Sequence, residues 1–285
     1  AAVNEAIDKL QPAEIRTATG EAKGKIAYNY YAPDLYDRRA NVLQIRSLAG
    51  QPIGTLVNYA IHPEILGSRR GILSPDCIGP FYDRVEQAAG GMALFMNSAQ
   101  GGMVTADTRN LDAPPRDALR AYWNDTGSWA ECQRVGNLLA DESLRIIEPA
   151  SWQREPKLRS WSRQVRFPVD NEALWQVVTL SPLKYPHGPG RTITVQMNLI
   201  NLGAAHILTI PGEALPNIGF YLKRKMKGQQ NFLFGLTNDA FGYILTRIDF
   251  QSFPAYNYIC RTSLGELTGE ILIENALEMI KAAES

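Results

Sequence analysis

The feature that most constrains this chain is the apolar-rich run Ile53–Ile61. It breaks at His62-Pro63, gives way to an irregular loop and then a helix, and is followed by a second short apolar run, Met92–Met96. Short strands alternating with amphipathic helices require a sheet covered by helices, because neither element buries its apolar face alone. Pro63, Gly67, Gly71 and Pro75 deny residues 63–76 any sustained period, and surface loops of that length tend to carry function. Ile78, Phe81, Tyr82 and Val85 fall at i, i+3, i+4, i+7 and predict a helix that closes at Gly90-Gly91.

The rest of the chain repeats this alternation. Lys25–Tyr31, Val42–Ser47, Trp152–Pro168 and Asn231–Gly235 read as strands. Thr192–Ile210 reads as a hairpin, with Ile193, Val195, Met197 and Leu199 alternating and a turn at Asn201-Leu202-Gly203. Helices are expected from Trp129 to just before Pro149, over Leu215–Met226, and over Leu264–Ala282 with Leu267, Ile271 and Ala276 inward. Residues 104–116 read as a polar loop and Leu236–Asn257 as a Tyr/Phe-rich loop. No repeat, low-complexity tract or linker divides the chain, so the expected fold is a single α/β domain over 1–285, mixed sheets flanked by helices in a layered sandwich. Val3, Ile7 and Leu10 share the spacing of an amphipathic helix already under way, so further residues are expected upstream.

Charge narrows the function. With 29 Lys+Arg against 29 Asp+Glu, the chain lacks the cationic surplus that phosphate neutralisation needs, which argues against nucleic acid as a partner. The basic cluster Lys223-Arg224-Lys225 with Lys227 reads as a solvated helix end. No stretch approaches the roughly 20 apolar residues of a membrane helix. The three cysteines, Cys77, Cys132 and Cys260, are too far apart for a CxxC motif. Nucleotide-binding loops, a Gly-x-Ser-x-Gly elbow and a His-Glu-x-x-His helix are all absent.

Histidine chemistry has three places to reside. His187 lies in a turn and His206 alternates within a hairpin arm, whereas His62 leaves a strand end for a loop. A second strand end delivers Glu213 after Ile210-Pro211-Gly212, at what reads as the first turn of a helix, where a carboxylate can also simply cap free amides. A third, Gly235 through Tyr243, ends in a tyrosine after glycine. His, Glu and Tyr on strand-end loops suit a metal or hydrolytic site, although spacing alone does not bring them together. Tyr243, Phe250, Phe253, Tyr256 and Tyr258 fit a cleft lining and a packed core equally well.

In order along the chain, Leu56–Pro63, Leu73–Gly79, Ala93–Gly102, Ile210–Glu213 and Gly235–Tyr243 resemble successive blocks of the neutral/alkaline ceramidase family. The resemblance implies a zinc-dependent hydrolase that cleaves a linear N-acyl amide bond with metal-activated water. By that resemblance His62, Glu213 and Tyr243 are zinc ligands, and Asp76, Asn97 and Tyr256 are the accompanying catalytic residues. Asp76 corresponds to an acid that orients a ligand and Asn97 to a polar group at the cleft floor.

Two departures from the family pattern matter. The first zinc histidine of the family lies upstream, in a Thr-His-Thr-His-like segment that this sequence does not contain. The chain is therefore expected to be the C-terminal part of a larger catalytic unit, with an N-terminal companion supplying a further His ligand. Where ceramidases carry a serine after their Gly-rich turn, this chain has Thr105, so a small amide or lipid-like substrate is expected without commitment to ceramide. The family's C-terminal immunoglobulin-like domain is likewise not expected in this chain. The resemblance also points to the periplasm or the outside of the cell, and oligomerisation stays open. An ester or lactone hydrolase on the same site, and a binding subunit with a decayed metal site, are the rival readings.

Overall fold

The computed structural model describes residues 2–112 and 127–283. Two four-stranded sheets form its centre. The first has the order β1 (Ala13–Glu21), β3 (Arg39–Ser47), β4 (Pro52–Tyr59), β5 (Met92–Asn97), with only the β4–β5 pair parallel. The second has the order β11 (Gln230–Phe234), β9 (Ala205–Thr209), β8 (Thr192–Leu202), β7 (Leu158–Pro168), with only β9–β11 parallel. In each sheet the parallel pair is joined through a helix, as a crossover requires, and the antiparallel pairs include tight connections.

The sheets meet face to face. Leu43, Ile45 and Leu56 from the first pack against Ala205, Ile207, Phe232 and Phe234 from the second. Helices α2 (Ile78–Ala89) and α3 (Trp129–Ile147) cover the outer face of the first sheet, with Phe81, Val85, Cys132, Val135 and Leu139 on Val42, Val57 and Ala93. On the outer face of the second, α5 (Pro216–Lys225) and the C-terminal helix (Thr268–Ala282) bring Leu222, Leu272 and Ala276 onto Val165, Val195 and Met197. The result is a helix–sheet–sheet–helix sandwich, the layered α/β fold expected from the sequence. Each fully buried side chain of Phe, Leu or Val contributes about 1.5–3 kcal/mol over leaving it exposed.

Several expectations shift in detail. The hairpin turn lies at Gly203-Ala204, one residue later than expected; Leu202 pairs with Ala205, and Gly203 at φ 57 takes the first central position that a type II′ turn gives to glycine. Val104–Ala106 is a short strand, β6, paired with β2 (Ala27–Asn29), where a loop was expected; the part of that loop beyond residue 112 lies outside the described residues. Helix α4 (Glu172–Leu180) was not anticipated: Leu174, Trp175 and Val178 lean on the core only partly buried while Val177 and Leu180 stay exposed, and the Asn171 cap accepting from the Leu174 amide at 3.2 Å sets its start. The C-terminal helix begins at Thr268, so Leu267 falls outside it and is 44% exposed, while Ala276 is buried.

The largest correction concerns Lys223. Arg224, Lys225 and Lys227 are exposed as expected of a solvated helix end, but Lys223 is 5% exposed and bonds Asp37 at 3.0 Å, half of a buried ion pair joining α5 to the start of β3. Burial alone would raise the Asp37 carboxyl, but the charges of Lys223 and Arg39 outweigh it and hold it below the ordinary aspartate range. The helix α1 (Ala2–Asp8) buries no residue, and Val3, Ile7 and Leu10 are all exposed. No described helix is long and apolar enough to cross a membrane.

Candidate active site

The site gathers at the C-terminal end of the β4–β5 parallel pair. After β4 the chain continues through Ala60 and Ile61 to His62, whose amide donates to the Val104 carbonyl at 2.9 Å and which bridges Thr105. The same carbonyl accepts from His62 Nδ1 at 2.8 Å. A carbonyl can only accept, so Nδ1 carries a proton, and Nε2 turns toward Glu213 Oε2, 2.7 Å away.

Glu213 is not on a helix, as its sequence position suggested. It starts a two-residue strand, β10 (Glu213–Ala214), parallel to β12 (Tyr243–Ile244), and Glu213 is registered directly with Tyr243. Helix α5 begins only at Pro216. The turn after β5 locks this strand in place, since the Gly101 amide donates to the Ala214 carbonyl at 2.9 Å. A Cβ on Gly101 would lie 2.3 Å from the Glu213 carbonyl oxygen, so only glycine permits this approach. Three elements distant in sequence thus place His62, Glu213 and Tyr243 together.

The Tyr243 hydroxyl donates to Met103 Sδ at 3.1 Å, and its ring meets Tyr258 edge-on at 5.8 Å. Burial first, and then the nearby Glu213 charge, push the Tyr243 phenol far above the ordinary tyrosine value, so it stays neutral. For His62, burial opposes a charged ring, but the Glu213 hydrogen bond and charge, with the Val104 carbonyl, outweigh it and raise the pKa. The His62 and Glu213 side chains are 16% and 18% exposed, open enough for a ligand to reach.

The other sequence candidates sit around this centre in different ways. Asp76 is 6% exposed at φ 52, and its carboxylate accepts from the Leu66 amide at 2.9 Å and the Cys77 amide at 2.8 Å, closing the loop that follows His62. Burial and the Asp76 carboxylate also keep the Cys77 and Cys132 thiols protonated. Asn97, at the end of β5, lends its backbone carbonyl to the Gly235 amide at 2.9 Å, and its Oδ1 is buried with no partner among the described residues. Tyr256 lies 5.2 Å ring to ring from Tyr31 and 5.3 Å from Phe253, in the apolar cluster that contains Tyr243. Phe253 and Tyr258 are more than half exposed, so these aromatics form a rim and not a sealed core. A cavity of about 640 Å³ lies beside them, lined in part by Phe250, Phe253, Asn257, Cys260 and Arg261.

His187 and His206 keep away from this centre. His187 is exposed and edge-on to Trp175, and the His206 ring packs over Gly228. Met103 and the Val104 carbonyl are the participants that residue chemistry did not single out. Their signal was the Gly101-Gly102 pair immediately before them.

The donor set fits a zinc ion. His62 Nε2 and Glu213 Oε2 approach to hydrogen-bonding distance, 2.7 Å, and imidazole nitrogen with carboxylate and phenol oxygens is a donor set zinc accepts. Among the described residues no group of three His, Cys, Asp or Glu gathers for a metal; here the third donor would be a tyrosine.

No protein-family model and no curated sequence matches the chain. Solved structures do. It superposes on the crystal structure of neutral ceramidase from Pseudomonas aeruginosa with a TM-score of 0.71 at 16% identity, over 98% of this chain and 54% of that one. The fold is shared with the ceramidases. A ceramidase complexed with C2 gives a TM-score of 0.72, also at 16% identity, over 99% of this chain and 55% of that one. This chain therefore spans about half the length of the ceramidase structures it matches.

Proposed function

We propose that this chain carries part of the active site of a zinc-dependent hydrolase acting on a linear N-acyl amide bond. The observation behind the reading is the 2.7 Å approach of His62 Nε2 to Glu213 Oε2, with Tyr243 registered beside Glu213. The ceramidase-like fold supports it. In this reading His62, Glu213 and Tyr243 hold the metal, and a further histidine comes from elsewhere in a longer protein or from a companion chain. Zinc bound there would supply a Lewis acid for the carbonyl and a more acidic water.

The chain's own residues have definable tasks in that reaction. Val104 fixes the His62 ring through Nδ1, so that only Nε2 is offered to the cleft. Glu213 provides the carboxylate oxygens of the donor set. Tyr243 offers its phenol oxygen to the donor set while its hydroxyl donates to Met103 Sδ. Asp76 closes the loop after His62 by accepting from the Leu66 and Cys77 amides, and Asn97 offers a buried side-chain oxygen with no partner among the described residues. Tyr256 joins the aromatic rim that would contact an apolar acyl or amine substituent. Net hydrolysis adds water across the C–N bond, giving a carboxylic acid and an amine.

The test is release of amine from a panel of N-acyl amides, alongside esters of the same acyl groups, by protein purified with any companion chain and loaded with zinc. Amide cleavage that disappears in Glu213→Ala supports the reading. Cleavage of esters alone would move the assignment to an esterase, and full activity in Glu213→Ala would remove the site.

A further inference from the structure

Met103 holds an unusual position. Its backbone adopts φ 61, a left-handed conformation that is strained for any residue with a Cβ. Bonds on both sides enforce it: the Met103 carbonyl accepts from the Tyr30 amide at 3.0 Å, the Val104 amide donates to the Gln100 carbonyl at 3.1 Å, and the Gly101 amide is tied to Ala214. Strain kept in place by surrounding bonds is a mark of functional turns. Its effect here is to bring the Met103 sulfur within 3.1 Å of the Tyr243 hydroxyl.

That pairing goes against intrinsic preference. A thioether is a weak acceptor, whereas a carboxylate takes a hydroxyl proton in a charge-assisted bond about twice as strong as a neutral one. Glu213 is the strand neighbour of Tyr243, yet the phenol donates to sulfur. Resting on the zinc-hydrolase reading above, we infer that Met103 is a positioning residue for Tyr243. By accepting the phenol's hydrogen bond it directs that hydroxyl away from Glu213, leaves the carboxylate oxygens for His62 and a cation, and frees the Tyr243 oxygen lone pairs to serve as a donor. No bond is made or broken and no proton changes owner.

The test compares the native protein with Met103→Leu, Met103→Gln, Tyr243→Phe and the Met103→Leu/Tyr243→Phe double variant. Leucine nearly conserves volume but accepts nothing; glutamine restores an acceptor on an unbranched chain. Zinc affinity, measured by competition with a chromophoric chelator, should fall about tenfold in Met103→Leu, the usual scale for losing a partner that orients a ligand. It should return close to native in Met103→Gln, which a mere packing defect would not allow. In the Tyr243→Phe background, Met103→Leu should cost nothing more. Native affinity in Met103→Leu, or an equal loss in both backgrounds, would overturn the inference.

Near-ultraviolet difference spectra of the metal-free proteins separate this inference from the reading it rests on. Met103→Leu should shift a tyrosine band, and the shift should vanish when Tyr243 is phenylalanine; no shift would overturn the inference. Should the native protein bind no zinc, the hydrolase reading falls, and these spectra alone decide whether Met103 accepts the phenol's hydrogen bond.

Discussion

Replacing Asp37 by asparagine would remove one charge from a pair that is 4% and 5% exposed on its two sides. Asparagine keeps the shape and one acceptor, so the change isolates the charge. Lys223 would then stand buried beside Arg39 with no carboxylate opposite. Breaking a buried ion pair by deleting one member costs about 3–5 kcal/mol, and the retained amide oxygen places this case near 3. Against a typical domain stability of roughly 5–15 kcal/mol, that loss is large. Urea unfolding at neutral pH should show it as a lower midpoint at unchanged slope.

The pH dependence carries a definite sign. Burial already lowers the pKa of Lys223 below the ordinary lysine value despite Asp37, and removing Asp37 lowers it further. Between that lowered value and the unfolded-state value near 10.4, the unfolded chain binds the proton and the folded one does not. Stability of the variant should therefore rise with pH through this window, narrowing its deficit. In the native protein the depressed Asp37 value acts at the other end, giving stability that is present above the ordinary aspartate pKa and lost as pH falls through the folded value. The double change Asp37→Leu/Lys223→Met should recover most of the loss. A cost below about 1 kcal/mol, or a double variant no better than the single one, would refute the argument that the pair is closely coupled.

Other outcomes follow from the site. Gly101→Ala would set a Cβ against the Glu213 carbonyl and should destabilise by about 1–3 kcal/mol as an overpacking change, while displacing Glu213 enough to weaken zinc binding; a native thermal midpoint with native zinc affinity would contradict that. Asp76→Asn loses one of two amide contacts and should cost about 1–3 kcal/mol in urea unfolding, with proteolysis rising in the 63–76 loop; unchanged stability would show that the carboxylate does not hold the loop. Tyr243→Phe should slow amide turnover more than it alters substrate affinity, and equal turnover would exclude the hydroxyl from the reaction.

The layered fold was legible because its strands and helices are periodic. The alternation Ile193, Val195, Met197, Leu199 is buried residue for residue, and the Ile78–Val85 stripe is the buried face of α2. Lys223 misled because a cluster of basic residues looks the same whether or not a carboxylate 186 positions away folds against one member. Glu213 was recognisable as a residue at a strand end, but its two-residue strand exists only through pairing with Tyr243, which no local pattern encodes. Asp76, read as an acid that orients a ligand, is seen here bonding loop amides. Met103 escaped notice for a similar reason, since its role depends on a left-handed backbone and on a tyrosine 140 residues away.

The central claim is that His62, Glu213 and Tyr243 form a zinc site, and metal analysis of natively purified protein, with intact mass spectrometry of whatever co-purifies, tests it most directly. The account predicts about one zinc per chain, lost on His62→Ala and on Glu213→Ala while the fold survives, with any further histidine donor arriving on another polypeptide segment. Stoichiometric zinc retained in both variants, or none in the native protein with its companions present, would contradict it.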